Sequence, residues 1–335
     1  MSNKLRGGVS DDDHEGFGRP GRRSRPRTKD RPDYSAAAEA MVVTIDRGRY
    51  RCLLGDVALT ATKARALGRK GVIVGDRVRV VGDLSGAEGT LGRIVDVLPR
   101  TTVLRRTADD TDPFERPIVA NADQLVIVTA LADPPPRMGM IDRILVAGYD
   151  AGLDPVLCLT KQDLAPADDL VAAYAPLDIP VVAVQPDADL APLRALLDDR
   201  ISVLVGHSGV GKSTLVNALI PGVDRAIGEV NEVTGRGRHT STSAVALELP
   251  DHAGWVIDTP GVRSFGLSHV TRESIVAAFP DLAALTRDCP RGCLHTSESP
   301  ECALDEAVAD GRLAPERLES FRRMEGAWVD RPPGT

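Results

Sequence analysis

One segment constrains this chain more than any other. Gly206, His207, Ser208, Gly209, Val210, Gly211, Lys212 and Ser213, followed by Thr214, match the phosphate-loop spacing G-x-x-x-x-G-K-[ST]. An apolar run at 201–205 precedes it and a helical pattern at 212–220 follows it. Strand, loop and helix in that order are what the motif needs. The glycines let consecutive backbone N–H groups converge on phosphate oxygens, and the helix start adds partial positive charge. Lys212 offers a cation to the β- and γ-phosphates, and Ser213 offers its hydroxyl to Mg²⁺. Such a loop sits at the carboxyl end of a buried strand, so the chain must build an α/β sheet around it.

The surrounding sequence supplies that sheet. Aliphatic runs at 124–129, 155–159, 181–184, 201–205, 244–249 and 255–257 alternate with helical patterns at 140–148, 170–175, 190–197 and 212–220. Strands apolar on both faces, alternating with helices, predict a mainly parallel, doubly wound sheet. Residues 41–107 read differently. Short strands at 41–45, 50–54, 72–74, 77–81 and 92–97 are separated by Gly-Asp turns, and Val78 and Val80 alternate with Arg77 and Arg79. About five short strands point to a small Greek-key barrel, an OB-fold. Residues 1–40 hold too few apolar groups to offset ordering entropy and are expected to be a disordered basic tail. The expected domains are therefore 1–40 tail, 41–107 OB-fold, 108–282 nucleotide-binding domain and 283–335 helical metal-binding domain.

Charge is distributed unevenly. The chain carries net −7, yet residues 41–107 carry +7 and residues 108–335 carry −16. A basic barrel on an acidic body points to one module that faces a polyanion. The Arg-rich stretch 19–31 reads either as a solvated tail or as an RNA tether. Aromatics are 3% of the chain, so base stacking has few platforms. No apolar run approaches the roughly 20 residues that span a bilayer, and the N-terminus has no apolar leader core. A cytoplasmic protein without membrane contact is expected.

Three further elements refine the chemistry. Thr160, Lys161, Gln162 and Asp163 follow the strand at 155–159 and resemble the N/T-K-x-D element that reads guanine. The Asp163 carboxylate can accept from guanine N1–H and the exocyclic amine, donors that adenine lacks, while Lys161 lies along the base. Asp258-Thr-Pro-Gly261 reads as D-x-x-G: Asp258 holds Mg²⁺ through water and the Gly261 N–H senses the γ-phosphate. Between this motif and the phosphate loop, the polar stretch 235–242 offers Thr240 and Thr242 as Mg²⁺ ligands, and spacing does not choose between them. The order is permuted, because Thr160–Asp163 precedes the phosphate loop instead of following it. Finally, Cys289, Cys293, His295 and Cys302 bring three thiolates and one imidazole into 14 residues, a donor set for one closed, structural Zn²⁺ site.

Together these residues resemble the ribosome small subunit-dependent GTPase A (RsgA) family, circularly permuted GTPases with an N-terminal OB-fold and a C-terminal zinc-binding domain. The resemblance covers about residues 41–325. It implies a GTPase that binds GTP and GDP, acts on the small ribosomal subunit and its 16S rRNA, and is stimulated by that subunit during late maturation. It also implies a monomer. The chain departs from the family at Thr160, where Asn is common, at the Cys-x₃-Cys spacing, and at Gln185-Pro186, where a Ser-containing guanine loop is usual. Val262 occupies the position that holds the water-orienting Gln in many GTPases. His239 is then the candidate catalytic group beside Lys212, with an RNA contact as the alternative. Two other classes compete: a P-loop ATPase or nucleotide kinase, and a zinc- and RNA-binding scaffold whose nucleotide site only switches shape.

Overall fold

A computed structural model describes residues 33–68, 71–106, 116–223, 244–261, 266–267, 270–277 and 279–329. Five strands open it: β1 (Ala38–Asp46), β2 (Arg49–Leu54), β3 (Val57–Lys63), β4 (Arg77–Gly82) and β5 (Gly92–Val97). They hydrogen-bond in the order β1-β2-β3-β5-β4, and β4 returns to β1 to close a barrel. β3 and β5 run parallel, and the other pairs antiparallel. Alternation drives the closure: Val42, Cys52, Leu59, Val78, Val80 and Ile94 fill the interior. Arg47, Arg49, Arg51, Arg77 and Arg93 stay exposed. The OB-like barrel expected from the sequence is present, with three differences. β1 begins at Ala38, so residues 38–40, expected to belong to the tail, pair with β4 instead. β3 is an addition to the expected strands, because its Ala and Thr residues give little apolar contrast. Residues 72–74 form no strand, and only Val74 makes an isolated bridge, to Val119.

A hairpin, β6 (Val103–Arg106) and β7 (Arg116–Ala120), follows the barrel. Arg100 ties the junction, donating from Nε and Nη2 to the fully buried Asp76 at 2.6 and 2.9 Å.

The second sheet holds β8 (Gln124–Ala130), β9 (Asp154–Thr160), β10 (Val181–Ala183), β11 (Arg200–Val205), β12 (Val245–Glu248) and β13 (Gly254–Asp258). Their order is β10-β9-β8-β11-β13-β12, all parallel except β12. Both faces are covered, as the continuous apolar runs require. Leu125, Ile127, Leu157, Leu159, Val203 and Val205 face α1 (Met138–Asp150) and α2 (Asp168–Tyr174). Val126, Val128, Val156, Cys158 and Leu204 face α3 (Ala191–Leu197) and α4 (Lys212–Leu219).

The C-terminal helices α5 (Arg272–Ala277), α6 (Pro280–Leu285), α7 (Ala303–Ala309) and α8 (Pro315–Val329) extend the core of the α1 face. There Phe279 packs against Tyr149 and Phe321, with ring centroids 5.5 and 5.6 Å apart. One β1 residue, Thr44, pairs with Val245 of β12, so barrel and second sheet form one eleven-stranded array. The arginine-bearing barrel lies at one end of that array. At the other end, residues 163–189 expose six aspartates: Asp163, Asp168, Asp169, Asp178, Asp187 and Asp189. Among the described residues, no helix is long and apolar enough to cross a membrane.

Candidate functional site

Three sequence motifs leave the sheet at the same edge. Thr160 ends β9, Gly206 follows β11, and Asp258 ends β13. In the parallel register Leu204 lies beside Asp258, so the phosphate loop and the D-x-x-G segment emerge as neighbours. Gly206 passes so close to β8 that a Cβ there would lie 2.2 Å from the Val128 carbonyl oxygen. No side chain is tolerated at that point. Gly211 starts α4 with φ 91°, a conformation that glycine adopts freely. Between them Val210 is buried, Ser208 and Gly209 are exposed, and the His207 Nδ1 lies 2.8 Å from the Ser208 carbonyl oxygen. Lys212 is buried at 8% exposure, Ser213 is half-buried and Thr214 faces out. On the D-x-x-G side, Asp258 is buried and Thr259 donates to the Leu204 carbonyl at 2.7 Å. A side chain on Gly261 would come within 3.1 Å of the Ser208 Cα. D-x-x-G and phosphate loop therefore touch.

The Thr160–Asp163 element is locked to the same loop. The Thr160 hydroxyl lies 2.5 Å from the Val210 carbonyl oxygen and 3.2 Å from that of Thr129. With one proton to give, it bonds chiefly to Val210. A threonine therefore spans from the base-side element to the phosphate loop. Lys161 takes a positive φ of 59° and its Nζ donates to the Asp133 carbonyl. Gln162 donates its N–H to the Val184 carbonyl at 3.2 Å, which sets the 185–188 turn beside this element. Asp163 is exposed at the edge. Sequence reasoning missed Asp133 and Val184, because both act through backbone carbonyls, which leave no residue-type signal. His239, Thr240, Thr242 and Val262 lie outside the described residues.

The second cluster forms where α6 gives way to α7. The ligand atoms of Cys289, Cys293, His295 and Cys302 all lie within 4.8 Å of one another. The His295 Nδ1 is 3.5 Å from the Cys289 sulfur and 3.8 Å from that of Cys302. The His295 N–H donates to the Cys293 sulfur at 3.4 Å. Burial, with the Arg272 and Arg322 guanidiniums, holds His295 below the usual imidazole range, so its ring is neutral and carries a free lone pair at neutral pH. Arg322 on α8 clamps the loop, donating to the carbonyls of His295 and Thr296 at 2.9 and 3.1 Å and to Asp305 at 2.8 Å. The four expected ligands converge, and they can hold a metal ion.

The model of the RsgA GTPase family matches residues 97–268. The chain is 43% identical over 249 residues to the small ribosomal subunit biogenesis GTPase RsgA of Pseudomonas aeruginosa, covering 72% of each chain. It is 44% identical over 263 residues to the protein of that name from Pseudomonas syringae pv. tomato, covering 76% of this chain and 74% of that one. Among solved structures, YjeQ from Thermotoga maritima superposes with a TM-score of 0.62 at 26% identity, over 88% of this chain and 99% of that one. YloQ, a circularly permuted GTPase, shares the fold with a TM-score of 0.64 at 24% identity, over 90% and 98%.

Proposed function

The chain belongs to the RsgA GTPase family, and on that premise we propose that it hydrolyses GTP to GDP and phosphate on the small ribosomal subunit during late maturation, with the subunit stimulating turnover. One observation carries the reading: the base-side element, the phosphate loop and D-x-x-G emerge from one sheet edge, joined by the Thr160–Val210 bond and the Gly261–Ser208 contact.

In this reading Asp163 and Lys161 take the guanine. The backbone from Gly206 to Lys212 wraps the phosphates, and Thr214 closes the loop's first helical turn. Ser213 and Asp258 would hold Mg²⁺, together with Thr240 or Thr242. That ion would neutralise charge building on the β- and γ-phosphates. Lys212 shares that task, and the Gly261 N–H meets the γ-phosphate. The Val262 side chain can neither donate nor accept a hydrogen bond, so intrinsic turnover should be slow. His239 is proposed to orient the attacking water once the subunit is bound.

Cys289, Cys293, His295 and Cys302 would hold Zn²⁺. Bonds of about 2.3 Å to sulfur and 2.0–2.1 Å to nitrogen put tetrahedral donors about 3.5–3.8 Å apart. The sulfur–nitrogen distances of 3.5 and 3.8 Å meet that requirement. With all four positions filled by protein, the ion would have a structural role. The exposed arginines of the barrel suit a polyanion, here the 16S rRNA, and the protein is read as a cytoplasmic monomer.

The test is GTP turnover with purified small subunits, using large subunits as control. Stimulation by small subunits alone is expected, and equal rates with either subunit would overturn the reading. His239→Ala should abolish that stimulation while leaving GTP affinity and subunit binding nearly unchanged. Loss of subunit binding with normal stimulation at saturation would make His239 an RNA contact instead.

A further inference from the structure

Among the described residues, some buried carboxylates lie outside the nucleotide site, and Asp142 is one of them. Asp142, on the second turn of α1, is 1% exposed. Each of its oxygens has its own donor. The Tyr174 hydroxyl donates to Oδ1 at 2.9 Å, and the Arg323 Nε donates to Oδ2 at 3.1 Å. Arg323 also donates from Nη2 to the Ala173 carbonyl at 3.4 Å, and its guanidinium lies 5.1 Å from the Tyr174 ring centroid. Three elements far apart in sequence therefore meet at one side chain: α1, the end of α2, and α8.

Stability alone explains this cluster poorly. A buried ion pair seldom repays its desolvation, and apolar residues of equal volume often serve as well. Burial indeed pushes the Asp142 carboxyl above its usual range, against the pull of Arg323 and Tyr174. What such a cluster does supply is direction, since two donors on one carboxylate fix the angle between the elements that carry them.

The two helices it fixes are the ones that follow the base-side loops. α1 begins directly after residues 131–137, where the Leu131 N–H donates to the Thr160 carbonyl at 2.9 Å and Asp133 accepts from Lys161. α2 begins directly after residues 160–167. Two more bonds join α8 to α1 and to the turn that follows α2. Arg317 donates to the Pro176 carbonyl at 2.8 Å, just past α2, and Arg143 of α1 donates to the Ala327 carbonyl at 3.0 Å.

We propose that Asp142, Tyr174 and Arg323 are positioning residues of the guanine site, through which α8 sets the spacing of the two base-side loops and so the lifetime of bound guanine nucleotide. The proposal rests on the GTPase reading above. It means that the C-terminal helix, anchored to the metal loop by Arg322, is part of the nucleotide site without touching the nucleotide.

The test is release of a fluorescent GDP analogue from the full-length, metal-loaded protein, followed by stopped flow. Arg323→Met should speed release about tenfold, the effect of losing one charged, buried hydrogen bond. Arg323→Lys, which keeps the charge but not the fork, should recover only part of that loss. Tyr174→Phe removes a single hydroxyl with little risk to folding and should speed release a few-fold. Asp142→Asn combined with Arg323→Met should cost less than the two single effects added. Metal content should stay at the wild-type level throughout. Wild-type release rates in Arg323→Met and Tyr174→Phe, with only a lowered melting temperature, would overturn the proposal by making the cluster purely structural. A wild-type protein that binds no GDP would instead sink the GTPase reading itself.

Discussion

At the scale of single residues, the proposed site would depend on a few groups whose chemistry cannot be exchanged. Asp163 is exposed at the sheet edge, and the proposal gives its carboxylate the guanine. Asp163→Ala should lower GTP affinity by about 3–6 kcal/mol, because two charge-assisted hydrogen bonds go together. Titration calorimetry would measure it, and unchanged affinity would remove Asp163 from the site. Asp163→Asn should shift preference toward xanthosine nucleotides, whose base presents an acceptor where guanine presents a donor. Thr160 illustrates a different constraint. Its hydroxyl reaches the Val210 carbonyl, so the shorter threonine spans between base-side element and phosphate loop at this position. Thr160→Val keeps the shape and drops the bond. It should weaken GTP binding by about 1 kcal/mol in the same titration.

At the scale of elements, the parallel strands were legible because both their faces are buried, which makes each a continuous aliphatic run. The phosphate loop and the Cys/His set were legible because their spacing is local. β3 was not, since Val57-Ala-Leu-Thr-Ala-Thr-Lys63 carries few large apolar groups. The β6–β7 hairpin was not, because its arginines mask the alternation. Nor was the Asp142–Arg323 pair, whose partners stand 181 residues apart and meet only when α8 folds onto α1. The metal loop belongs to this scale too. It joins α6 to α7 and is clamped by α8, so an ion held there would tie together helices already packed on the α1 face. Cys293→Ser should lower bound zinc, read by elemental analysis of freshly purified protein. It should also raise hydrogen exchange across residues 285–329, the region that the closed site organises. Full zinc content in that variant would show that the ion is held elsewhere.

At the scale of the whole molecule, barrel and nucleotide sheet are joined through β1, whose first half closes the barrel and whose Thr44 reaches β12. Binding to the small subunit should run through the exposed barrel arginines. Its log K should fall linearly with log salt, each phosphate contact adding about 0.7–0.9 to the slope. Arg49→Glu combined with Arg51→Glu should reduce both affinity and slope in filter binding across a salt series. An affinity indifferent to salt would mean that the contact is made with protein instead. The eleven-stranded array also separates charge, with arginines at its barrel end and six exposed aspartates at the β10 end. A body with opposite charge at its two ends feels a torque in the field of a polyanion before it touches anything. This protein would turn as it approaches, arriving barrel first, so fewer of its collisions would be wasted on the wrong face.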